Sequence, residues 1–129
     1  MKTGMLLLAI GLITGGGIWK GFSEKPGMRE TMFQMEAEAK ILKKAIESRL
    51  TLPVFYDSIP DMRHTIPTDP DEVTEGYKVM AEENIRLRKA IFKAGNPKPV
   101  FNRYITSCVK CHESHCPGPI NRILKLKVQ

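Results

Sequence analysis

The sequence predicts an all-α fold, an antiparallel bundle of three to four helices, and three observations carry that prediction. Apolar residues recur at spacings of three and four along three long stretches. Glycine and proline cluster at the joints between those stretches, and no β-hairpin signal separates any pair of them. At 129 residues the chain has room for one sizeable core. With 42% hydrophobic and 26% charged residues it reads as a folded domain, neither a disordered tail nor a multi-span membrane protein.

The elements follow in chain order. Lys2 and Lys20 bracket an uncharged run from Thr3 to Trp19, centred on Met5-Leu6-Leu7-Leu8-Ala9-Ile10. This N-terminal hydrophobic segment, residues 1–21, reads as an export signal or an uncleaved membrane anchor. A spanning helix takes about 20 apolar residues, so the run is short, and Gly15-Gly16-Gly17 weakens it further. No Ala-x-Ala cleavage site is present, which favours an anchor, and Lys2 on the short flank sends the rest of the chain outward. Residues 22–27 are polar and helix-breaking, a tether to a domain over 28–129.

From Met28 to Leu50, the residues Met32, Met35, Ala39, Leu42 and Ile46 trace an amphipathic stripe, flanked by Ile41 and Ala45, with no Gly or Pro. Pro53, Pro60 and Pro67 then interrupt Thr51 to Thr68, so a second helix is short or replaced by a loop. Val54, Phe55, Tyr56, Ile59 and Ile66 make that loop too apolar for a free linker, and it is expected to pack. Thr68-Asp69-Pro70-Asp71-Glu72 has the residues of a helix start: an oxygen-bearing cap, proline in the first turn, then carboxylates. Val73, Tyr77, Met80, Ala81, Leu87 and Ile91 form the predicted buried stripe; Glu82, Glu83, Arg86, Arg88 and Lys89 form a solvated face. Gly95-Asn96-Pro97 ends this helix, and Lys98-Pro99 opens another that runs through Tyr104 and Cys108 to His112 before Pro117-Gly118-Pro119. The tail, with Ile123, Leu124, Leu126 and Val128 among basic residues, suits a short helix or a docked extension.

The chemistry concentrates in Cys108-Val109-Lys110-Cys111-His112. Two thiols one helical turn apart can form thioethers with the two vinyl groups of a single haem c, and the histidine that follows is the proximal iron ligand. Two other readings compete. Cys108 and Cys111 could form a redox pair, though the sequence offers no βαβ setting for one. Cys108, Cys111 and Cys116 with His112 or His115 could enclose zinc, though structural zinc sites draw a second ligand pair from a distant segment. Three fates are open to Cys116: buried and inert, joined to a second copy by a disulfide, or a reactive thiol at the haem edge.

The motif lies close to the C-terminal end, after two long helices. That layout, with Ser107-Cys108-Val109-Lys110-Cys111-His112-Glu113 on the last helix, resembles the class II c-type cytochromes, the cytochrome c prime family of four-helix bundles. The resemblance covers roughly residues 28–116. The chain departs from the family at the proline-rich 51–68 and at His115 and Cys116. The resemblance implies that the first helix covers the distal face of the haem. Met32 is the first choice for a distal ligand there and Met35 the next, with Met28 on the same turns; His64 in the loop is a further candidate, and His115 is expected to be exposed or to support His112. A methionine ligand suits one-electron transfer, whereas an open position suits a gas-binding or sensing haem protein. An anchored haem subunit of a respiratory complex is the third possibility, with tail contacts from Arg122 to Lys127. No nucleophile and base constellation for an enzyme is present. The net charge of +6 suits redox partners with acidic docking surfaces or an anionic membrane, and Lys110 and Arg103 are the docking residues nearest the motif. Scattered basic residues and an exported chain argue against nucleic acid. The expected location is the periplasmic side of a bacterial cytoplasmic membrane.

Overall fold

The computed structural model describes residues 25–53, 59 and 61–129. The N-terminal hydrophobic segment, the first residues of the tether, and Val54, Phe55 and Tyr56 of the proline-rich connection lie outside the described residues. Among the described residues the chain is all-helical: α1 (Met28–Glu47), α2 (Glu75–Ile91), α3 (Pro97–His115) and a five-residue α4 (Ile120–Leu124). None of these helices is long and apolar enough to cross a membrane.

The first helix buries Thr31, Met35, Ala39, Leu42 and Ala45, with Met32 and Ile46 half-buried beside them. Ile41, expected at the edge of that face, is 57% exposed. The helix stops at Glu47, short of Leu50, because Arg49 turns left-handed (φ 52°). The amides of Arg49 and Leu50 then donate back to the carbonyls of Ile46 (3.2 Å) and Ala45 (2.9 Å), which satisfies acceptors the helix end would otherwise leave free.

The connection is packed, as its apolar content requires. Leu52 and Ile59 lie against the core, and Met62 is buried in a single 3-10 turn over Met62–His64. Its far end is pinned to the start of α1: the Met28 amide donates to the Ile66 carbonyl (2.8 Å), and the Ile66 amide to that of Pro26 (2.9 Å). The expected helix start at Thr68–Glu72 becomes a separate 3-10 turn, Pro70–Glu72, capped by the Asp69 carboxylate on the Asp71 amide. The long helix begins afresh at Glu75 because Thr74 supplies a second cap, its Oγ1 accepting from the Tyr77 amide at 3.1 Å. Val73 sits between the two caps outside the helix and is 38% exposed, so it leaves the predicted stripe.

Helices α2 and α3 join through a short turn and pack closely along each other, whereas α1 meets α3 at few points. Tyr77, Ala81, Leu87 and Ile91 from α2 meet Phe101, Tyr104 and Ile105 from α3 in one core. Arg88 corrects the sequence reading: it is on the buried side of α2, paired with Glu38 of α1 at 2.6 Å, both side chains about nine-tenths enclosed. The tail is both things the sequence allowed, a short helix and a docked extension. Leu126 and Val128 are buried, and the Asn102 side chain holds Val128 by donating to its carbonyl and accepting from its amide, each at 2.9 Å.

Candidate functional site

The last turns of α3 face the first turns of α1, and three adjoining cavities lie between them. The first, about 60 Å³, runs from Met32, Met35 and Ala39 past Cys108 and His112 to Arg122, Ile123 and Leu126. The second, about 290 Å³, lies between Met28, Met32, Tyr77, Cys111, His112 and His115 and the loop around Asp69. The smallest, about 20 Å³, is walled by Met32, Met35, Met62, Met80 and Asn84 together with Cys108, Cys111 and His112. Met32 and His112 line all three. Cys108 and Cys111, four helix positions and one position before His112, open onto the same space. Met35 is buried and reaches two of the cavities.

The ring of His112 is oriented by the backbone that follows it. Its Nδ1 lies 2.8 Å from the Cys116 carbonyl oxygen. A carbonyl only accepts, so Nδ1 carries a proton, and the neutral ring then has its lone pair on Nε2. Metal-binding imidazoles are commonly oriented by such a hydrogen bond from the other ring nitrogen to a backbone carbonyl. The Cys116 thiol is 3.5 Å from the same Nδ1, and Cys116 is exposed, which rules out the buried fate. His115 is half-buried; its Nδ1 donates to the Cys111 carbonyl at 3.1 Å and its ring meets Tyr77 edge-on at 5.7 Å between centroids. It borders the second cavity on the α3 side, beside His112 and not opposite it. His64 is exposed, 3.7 Å from Asp61, and lines none of the three cavities, which removes it as a distal ligand.

The thiols are held neutral. Burial pushes Cys108 up to about 11 and raises Cys111 in the same sense. A redox Cys-x-x-Cys pair works through a lowered thiol pKa, so both shifts run against that reading. Among the described residues no three His, Cys, Asp or Glu side chains converge on a metal-sized point, which runs against the zinc knuckle.

Asn84 is the residue that sequence reasoning missed. It is 3% exposed, and its Nδ2 donates to Cys108 Sγ (3.2 Å) and to Ser107 Oγ (2.8 Å). Its Oδ1 is buried with no partner, an orphaned acceptor on the wall of the smallest cavity. Tyr77 was read only as core. It also borders the second cavity, and its hydroxyl donates to the Met62 carbonyl at 2.9 Å, so the 3-10 turn Met62–His64 and α2 share one anchor there. Burial pushes this phenol up to about 12, with the nearby Cys111 as the next cause. The signal for both was their place on the stripe Tyr77, Ala81, Asn84, Arg88, Ile91, whose polar members face inward.

Comparison with known proteins finds no matching family model, curated protein or solved structure. The site therefore rests on its own chemistry. Two neutral thiols, an oriented imidazole with a free Nε2, a facing thioether and an apolar lining form a donor set that fits haem c. The largest of these three cavities is near the lower end of the roughly 300–1,000 Å³ typical of cofactor sites, and its methionine side chains are flexible.

Proposed function

We propose that this chain is a mono-haem c-type cytochrome, of class II layout, that transfers single electrons outside the cytoplasmic membrane. The observation that supports this most is the shared lining of all three cavities by His112 and Met32, with Cys108 and Cys111 beside them. A bound haem c would supply an iron that alternates between ferrous and ferric states.

The rest is the work of the chain's own residues. Cys108 and Cys111 would hold the macrocycle through thioethers, and His112 would offer Nε2 to the iron while its Nδ1–H stays on the Cys116 carbonyl. Met32, which lines the same cavities as His112, would supply a thioether ligand, which raises the potential relative to a second imidazole. Ala39, Ile105, Ile123 and Leu126 keep water from the first cavity. Arg122, 3.0 Å from Glu36, is the cation on that cavity's wall. In this reading the N-terminal segment directs the domain to the periplasmic side, as an anchor or as a cleaved signal.

An optical spectrum of the purified chain tests the reading. The expected ferrous spectrum is low-spin and unchanged by carbon monoxide, and Met32→Ala makes it respond to carbon monoxide at once. An unchanged Met32→Ala spectrum would transfer the ligand role to Met35, and an immediate response of the unaltered chain would replace electron transfer by gas binding. Colourless protein from a haem-attaching host would sink the cytochrome reading altogether.

A further inference from the structure

The middle of α1 and the tail after α4 face each other across a groove of about 350 Å³ with an unusual balance of charge. Lys40, Lys43, Lys44, Arg122 and Lys125 line it against only two carboxylates, Glu36 and Glu47. Both carboxylates are already engaged within the chain. Glu36 takes Lys40 (2.8 Å) and Arg122 (3.0 Å), and Glu47 takes Lys43 (3.7 Å). Lys43 also donates to the Lys125 carbonyl at 2.8 Å, which braces the two walls against each other. The ammonium groups of Lys44 and Lys125 have no counter-ion among the described residues. Holding several cations together without neutralising them costs electrostatic energy, and that cost falls when an anionic surface enters.

The position of the groove is the second observation. Glu36, Arg122 and Leu126 line both it and the first cavity, so the groove adjoins the space that His112 and Met32 share. The two cations nearest the motif in sequence, Arg103 and Lys110, are exposed but line none of these cavities.

We propose that the groove between α1 and the C-terminal tail is the docking surface for an acidic protein partner, with Lys44 and Lys125 as its free charges. The proposal rests on the cytochrome reading for the partner's purpose, since a partner seated there would lie over the mouth of the first cavity. The concave shape favours protruding carboxylates of a protein over a flat bilayer.

The test uses an oligoglutamate peptide as the acidic probe and the purified full-length chain, followed by amide shifts and by affinity. Shifts on α1 and the tail, and a loss of affinity of about tenfold or more in the pair Lys44→Glu with Lys125→Glu, are expected. The neutral pair Lys44→Gln with Lys125→Gln should lose less, and it guards against a folding artefact of charge reversal at the end of α1. Arg103→Glu with Lys110→Glu should leave peptide affinity within about twofold, and binding should fade as salt approaches about 1 M. Equal loss in the Arg103 and Lys110 pair, or no shifts in the groove, would overturn the proposal. So would binding to phosphatidylglycerol vesicles without binding to the peptide. Haem content is read separately from the spectrum. Colourless protein that binds the peptide in the groove keeps the docking surface and sinks the cytochrome; coloured protein that ignores the peptide does the reverse.

Discussion

The three cysteines differ in chemistry although they share one short stretch. Cys116 is exposed, while burial raises Cys108 and Cys111 and keeps their thiols protonated, hence weakly nucleophilic. In the haem-loaded chain, iodoacetamide is expected to add a single label, on Cys116, as seen by peptide mass spectrometry. Three labels under denaturing conditions would show that no thioethers had formed. The same scale holds a stability prediction. Arg88 and Glu38 form an ion pair with both side chains about nine-tenths enclosed, so removing one partner leaves the other charge buried. Glu38→Ala should cost about 3 kcal/mol in urea denaturation, whereas Glu38→Leu with Arg88→Leu should recover most of that loss. Sequence reading placed Arg88 on the solvated face because charge was weighed above helical position. Its spacing from Tyr77, Ala81 and Asn84 had already put it on the inner stripe.

The helices themselves were legible where period and punctuation agreed, and their ends less so. The sequence expectation for α3, from Lys98 through His112, starts one residue after the observed Pro97 and names a last residue three short of His115, since prolines open the helix and follow it closely. Thr74 was invisible as a cap because the Asp69-Pro70 signal upstream was equally good, and local sequence alone does not rank two caps in succession. The end of α1 was hidden for another reason: its left-handed residue is Arg49, where glycine would have announced it. A side chain in that conformation costs roughly 1–2 kcal/mol, of which glycine's extra unfolded entropy returns part. Arg49→Gly should therefore stabilise the protein by about 0.5–1 kcal/mol, measured as a rise in the urea midpoint at unchanged slope. For the site, the residues of α3 could be read from the motif and Met32 from the resemblance. For Asn84, Tyr77 and Met80 the helical stripe marks burial but not the site, and Met62 has no such mark, because they reach the cavities from α2 and the connection through packing that no local pattern records.

At the scale of the whole molecule, cohesion is unevenly distributed. The α2 and α3 pair shares most of the core and closes on itself through Phe101, Tyr104 and Ile105, while three cavities separate much of α1 from α3. Helix α1 adds Met35, Ala39 and Leu42 to that core and is otherwise held at discrete points: the Arg88 pair, the Met28 amide on the Ile66 carbonyl at its start, and Lys43 on the tail. Local opening follows the distribution of packing, so an element attached this way opens at lower free energy than its neighbours. A cofactor seated between Met32 and His112 would fill the gap on one side of α1 alone and join it to the core. Haem-free protein, made by Cys108→Ala with Cys111→Ala, is therefore expected to keep its helices but to exchange α1 amides at least about tenfold faster than the loaded chain, with α2 and α3 changing much less. Hydrogen exchange read helix by helix checks this. Uniform acceleration along all the helices would mean that the cavities between α1 and α3 are not where the cofactor contributes its stability.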